Sequence, residues 1–222
     1  GRLWFGGDRG VVSGDGDTWR EYGYDDGIPD DVEICDIKIG DNNKVWVLLK
    51  TGLYGFVNGR FEPYVLMGIP SNDDNIFKHF ERIRSISVSG GRVWFATDTG
   101  AGGFDGEEWL YLDNHGALFW ENAGTVFADA FKNIWVTTAQ GIVCYTGNEV
   151  TVKKTSTVNN GRYFSRIVSD NNNILWLLHR DQYLNSLLLT LDNGVDKERF
   201  RWPRNTLNDY DFDETGAMWV LA

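Results

Sequence analysis

Proline is scarce in these 222 residues, and cysteine and histidine are scarcer still: four, two and three of each. Two cysteines, at 35 and 144, cannot build a disulfide framework or a cysteine-based metal site. Both read as small buried apolar residues. The histidines at 79, 115 and 179 have no metal-ligand spacing, and neither a metal nor a cofactor is expected. No run of 18 apolar residues exists, so direct membrane insertion through a helix is not expected. Positive charge is also short. Twenty-one Lys and Arg against 32 Asp and Glu leave a net charge of −11, which argues against nucleic acid as a partner. The opening Gly1-Arg2-Leu3-Trp4 carries no signal-peptide pattern, as expected of a mature or excised piece of an exported protein. Against these shortages stand 26 Gly, ten Trp, nine Tyr and thirteen Phe.

The aromatics are periodic. Trp recurs at 4, 46, 94, 135, 176 and 219, with intervals of 42, 48, 41, 41 and 43. Six residues after the first four of these comes Gly10, Gly52, Gly100 or Gly141. A second turn follows at Asp15-Gly16, Asn58-Gly59, Asp105-Gly106 and Thr146-Gly147, and then Trp19, Phe61, Trp109 or Val150. The segments between are short and rich in Val, Ile, Phe, Tyr and Trp, the pattern of strands joined by tight hairpins. Each period therefore predicts four antiparallel strands, called A to D here, with the marker Trp on B.

Four strands per 40 to 45 residues is the period of a β-propeller blade. The fold expected is an all-β propeller of about five repeats, with boundaries near 1–30, 31–80, 81–121, 122–161, 162–205 and a partial 206–222. Strand B is counted six times and strands A, C and D five times each. An open arc of a seven-bladed ring explains that count, a whole ring needing roughly 300 residues at this period; a closed five-bladed ring with a surplus strand is the alternative. Large rings at fixed positions suit the inter-blade core. Asn75–Arg82 predicts at most a turn or two of helix.

The best copy of the repeat runs Gly91-Arg92-Val93-Trp94-Phe95-Ala96-Thr97, Gly100, then Phe104-Asp105-Gly106-Glu107-Glu108-Trp109-Leu110-Tyr111. Trp19-Arg20-Glu21-Tyr22, Asp26-Gly27-Ile28-Pro29 and Ile34–Asp41 form the link to the next repeat. These strings resemble the two-component regulator propeller repeat over essentially the whole chain. The fifth unit departs from it, with Gln182 where the Gly after Trp176 is expected. The resemblance implies a periplasmic or extracellular sensor segment, accompanied in its parent protein by further blades or domains. It implies an oligosaccharide or a protein as partner. It transfers no catalytic residues.

Candidate sites follow from where propellers bind ligands, the face built from the B–C and D–A loops. The B–C loops hold Arg9, Lys50, Asp98, Gln140 and Arg180, whose paired donors and acceptors suit sugar hydroxyls. The D–A loops add Tyr24, His115, Phe119, Trp120 and Trp202. Nine or ten residues before each marker Trp from the second onward stand Asp36, Ser85, Thr125, Arg166 and Asp209, expected on strand A as a polar lining of the channel. Insertions at Val65–Arg82 and Asp113–Asn122 are further loop candidates. Asp41-Asn42-Asn43, Asp170–Asn173 and Asp211-Phe212-Asp213 offer oxygens to a cation, but Asx-turn chemistry explains them without one. No catalytic constellation emerges, and the expected function is non-catalytic. The alternatives are a carbohydrate-active propeller enzyme, a glycoside hydrolase or a lyase with His115 as its base, and a purely structural scaffold.

Overall fold

The computed structural model describes residues 2–7, 10–40, 43–66, 83–98, 100–105, 107–112, 123–138, 141–147, 149–153, 164–180, 183, 185–192, 195–203 and 207–221. They form two compact units, Gly1–Asp98 with Gly102–Tyr111, and Thr99–Ala101 with Leu112–Ala222.

The first unit holds three antiparallel sheets. Strands β1 Leu3–Gly7, β2 Gly10–Gly14 and β3 Trp19–Tyr22 form the first, of three strands. The second is β4 Ile34–Ile39, β5 Val45–Leu49, β6 Gly52–Val57 and β7 Arg60–Leu66. The third is β8 Ile83–Ser89, β9 Arg92–Thr97, β10 Ala101–Phe104 and β11 Trp109–Tyr111. In the second unit, β12 Val126–Ala128, β13 Ile134–Thr138, β14 Gly141–Tyr145 and β15 Val150–Lys153 form the fourth sheet. The fifth comprises β16 Phe164–Ser169, β17 Leu175–Arg180, β18 Ser186–Asp192 and β19 Val195–Trp202. The last has two strands, β20 Asp209–Phe212 and β21 Met218–Leu221. Every sheet is a meander in which chain neighbours pair, and every marker Trp lies on a B strand. A 3-10 turn, Tyr24–Asp26, interrupts the pattern. The insertion 67–82 and residues 113–122 lie outside the described residues.

The sheets pack through opposite faces, as alternation along a strand requires. In the first unit Trp4, Val11 and Tyr22 of the first sheet meet Val45, Val47 and Leu49 of the second. Trp46 and Leu48 then meet Val93 and Phe95 of the third. In the second unit Trp135 and Ile142 meet Leu175 and Leu177, and Trp176 and Leu178 meet Tyr210 and Met218. Within each unit the marker ring and the residue two beyond it thus face the following sheet, while the residues flanking it face the preceding one.

The marker rings are held in two ways. Asp129, Asp170 and Asp213 each stand six residues before a marker Trp. One carboxylate oxygen of each accepts backbone N–H groups of the A–B turn, and the other accepts the indole N–H of Trp135, Trp176 or Trp219 at 2.8 to 2.9 Å. In the second and third sheets a cation two residues before the Trp covers the ring instead. Lys44 Nζ lies 4.3 Å from the Trp46 centroid and the Arg92 guanidinium 5.8 Å from that of Trp94.

Candidate functional site

The five candidate lining residues occupy one structural position. Asp36, Ser85, Arg166 and Asp209 pair with Leu48, Ala96, Leu178 and Leu221, each two residues past a marker Trp. Thr125 faces the equivalent Thr137, whose N–H donates to its carbonyl at 3.0 Å. A bulge precedes three of these positions, at Cys35, Arg84 and Ser165. An extra residue in a strand escapes the alternation of its neighbours. This corrects the expected burial of Cys35: it is exposed, whereas Cys144 is buried as expected.

These five positions are polar but largely self-satisfied. Asp36 accepts from Lys38 at 2.8 Å on its own strand. Arg166 pairs with Asp209 at 2.8 Å and Asp211 at 3.2 Å, and donates to the carbonyl of Tyr210 at 2.9 Å. Two of the five candidates therefore meet, across adjacent sheets of the second unit. Thr125 is buried rather than water-facing, its N–H bonded to the Thr137 hydroxyl at 2.9 Å. Tyr210, between the two aspartates, donates its hydroxyl to the carbonyl of Trp176 at 2.6 Å, and burial pushes its acidity down, to a pKa above that of ordinary tyrosine.

Of the loop candidates, Arg9, His115, Trp120 and Gln140 lie outside the described residues, as does the side chain of Arg180 at the end of β17. Lys50 is exposed and ion-paired with Glu33. Asp98 is partly buried in the bend after β9. Trp202 ends β19 half-buried, packed on the cluster of Val168, Leu178, Leu188, Leu207 and Tyr210. His179, the one described histidine, is buried on β17 beside Phe164.

The connection Gly23–Val32, which links β3 to β4, borders two clefts. The 3-10 turn starts it, and Gly27, at φ +93°, closes that turn and donates to the carbonyl of Tyr24 at 3.0 Å. A Cβ on Gly27 would stand 2.0 Å from the carbonyl oxygen of Phe61, so only glycine fits. Arg20 anchors the turn through Asp26 at 2.7 Å. Tyr24 is left exposed and lines two clefts, of about 330 Å³ and 550 Å³. Asp30, Asp31 and Pro29 line the first; Tyr54, Arg60 and Glu62 line the second, with Pro29 and Tyr24 shared. Sequence reasoning named Tyr24 but not Pro29, Asp30 and Asp31. Their signal was the Gly-Ile-Pro-Asp-Asp run, which pins the loop beside an aromatic ring.

No protein-family model matches the chain, and no curated protein matches its sequence. Solved structures do match. The extracellular domain of the hybrid two-component system BT4673 from B. thetaiotaomicron superposes with a TM-score of 0.72 at 16 % identity, over 99 % of this chain and 29 % of that one. The corresponding domain of BT3049 from the same organism gives 0.66 at 16 %, over 99 % and 31 %. YCF48 from Cyanidioschyzon merolae gives 0.65 at 16 %, over 99 % and 74 %. The chain has the β-propeller fold, in agreement with the repeat read from its sequence. It spans less than a third of the two B. thetaiotaomicron chains.

Proposed function

We propose that this chain is a non-catalytic, extracytoplasmic segment of a sensor propeller of the two-component type, and that its ligand is an oligosaccharide. Its likeness in fold to extracellular domains of such systems supports the location and the sensing role. The observation that carries the ligand class is the pair of clefts flanking Tyr24. An exposed aromatic ring offers a flat surface to the C–H face of a sugar, and carboxylates beside it accept hydroxyl protons in pairs. Asp30 and Asp31 in one cleft and Arg60 and Glu62 in the other supply acceptors and donors. The acidic surround favours a neutral or cationic glycan over a uronic acid or a sulfate.

A thermal-shift screen of neutral oligosaccharides tests this, since a ligand that prefers the folded state raises the unfolding midpoint. The expected result is a shift that Tyr24→Ala removes while leaving the unliganded midpoint unchanged, because the ring is exposed. No shift with any glycan, or a shift untouched by Tyr24→Ala, overturns the glycan reading at this cleft. Release of new reducing ends from the same glycans would favour the enzyme instead.

A further inference from the structure

Tyr54 is a buried ring with an unused hydroxyl. The side chain is 4 % exposed and packs with Val47, Leu49 and Phe61 in the core between the first and second sheets. Among the described residues its hydroxyl has no hydrogen-bond partner. The other described tyrosines that are buried or half-buried all have one. Tyr22 accepts from the Ser13 hydroxyl at 3.3 Å and Tyr64 from the Lys44 ammonium at 3.0 Å. Tyr145 and Tyr210 donate to the carbonyls of Gly147 and Trp176 at 2.9 and 2.6 Å. A hydroxyl carried on a buried ring normally finds such a partner, and one left over calls for a reason.

The reason is where it opens. Tyr54 forms part of the wall of the 550 Å³ cleft beside Tyr24, and its hydroxyl is not sealed from that side. Its cross-strand partner is Pro63, and Ile28 and Pro29 of the β3–β4 connection line the same cleft. The wall is therefore apolar carbon around a hydroxyl that the fold leaves unsatisfied. We propose, on the glycan reading above, that this cleft selects an acetamido group, so that the sugar read at Tyr24 is an N-acetylhexosamine. An acetamido uses both parts of such a wall. Its carbonyl accepts the Tyr54 hydroxyl proton, and its methyl leaves water against proline. A hydroxyl on the same sugar carbon has no methyl to bury, and an ammonium has no acceptor. A site built to hydrogen-bond one group discriminates against a ligand that leaves the site's own donor unpaired.

Calorimetric titration of three disaccharides that share one linkage and differ in a single substituent tests this. Cellobiose carries a hydroxyl there, the glucosamine disaccharide an ammonium, and N,N′-diacetylchitobiose the acetamido. The acetamido sugar is expected to bind about tenfold tighter than cellobiose, and tighter than the ammonium sugar. Tyr54→Phe removes the hydroxyl and keeps the packed ring, so the native circular dichroism and unfolding midpoint remain. It lowers the affinity for the acetamido sugar by about tenfold, to the level of cellobiose. Equal binding of the three sugars overturns the acetamido inference and leaves the glycan reading standing, as does a preference that survives Tyr54→Phe. Tighter binding of the ammonium sugar also overturns it, since charge is then the selector. Failure of all three, while other neutral oligosaccharides still raise the midpoint through Tyr24, rejects the acetamido group alone. Failure of every glycan removes both readings.

Discussion

The aspartate at the head of the A–B turn ties two levels of structure together. In Asp129 one carboxylate bonds the N–H groups of Phe131 and Asn133, the Asn133 amide and the Trp135 indole, at 2.8 to 2.9 Å. The turn, and the ring that fills the core, are thus fixed by a single buried group. Asp129→Ala strands those donors, and the expected loss is about 2–3 kcal/mol, seen as a lower urea midpoint with an unchanged slope. The same arrangement sets a pH response. Hydrogen bonds from Thr215, Trp219 and Ala217 pull Asp213 from 3.8 down to about 2. Asp105 is held well below the ordinary range by the backbone N–H groups of Glu108 and Glu107 and by Arg92, and Asp15 is lowered mainly by Thr18. A depressed carboxylate stabilises the fold above its unfolded value and loses that contribution as pH falls through the folded one. For Asp213 the window is between 3.8 and about 2. Urea titrations across it are expected to show stability falling with acid. Asp213→Asn flattens the fall, since an amide cannot accept from both the turn and the indole in the same way.

At the level of the strand and its turns, one conformation recurs three residues before the marker Trp. Asn43, Gly91, Lys132, Asn173 and Gly216 all have positive φ, between 58° and 84°. Asn and Gly tolerate this region, and a lysine adopts it only at a steric cost. Lys132→Gly therefore relieves strain in the turn while keeping its N–H on the carbonyl of Asp129 at 3.0 Å. The expected gain is about 0.5–1 kcal/mol net of the added chain entropy, read as a raised thermal midpoint. Because tight turns restrict residue choice, pairs such as Asp15-Gly16, Asn58-Gly59 and Asp105-Gly106 announced the hairpins, and the marker Trp announced the B strands. The bulges on strand A had no such signal. A strand with one extra residue keeps its composition, so nothing in Ile34-Cys35-Asp36 says that Cys35 leaves the alternation and faces solvent. The shared level of the five strand-A candidates was legible for the opposite reason: a distance of nine or ten residues from the Trp survives the bulge, and the pairing puts all five at one level. Their partners were not legible, since Arg166 meets Asp209 only through the packing of two sheets 43 residues apart in sequence.

Across the whole chain, stability and recognition occupy different ground. The aromatic excess is spent between sheets, where marker rings meet aliphatic faces, while the loop connection around Tyr24 holds its shape through a glycine and a salt bridge and leaves its ring in water. A ligand there has no sheet to displace. The same division gives the molecule an optical property. Among the described tryptophan side chains, only Trp19 and Trp219 are exposed, one on the first sheet and one on the last. Buried indoles emit toward the blue and resist collisional quenchers, so acrylamide acts first on these two. In the native protein acrylamide is expected to quench a red-emitting fraction, which Trp19→Phe and Trp219→Phe each reduce. The chain therefore carries a native fluorophore on each terminal face, and light emitted from them reports directly whether either face has lost its water.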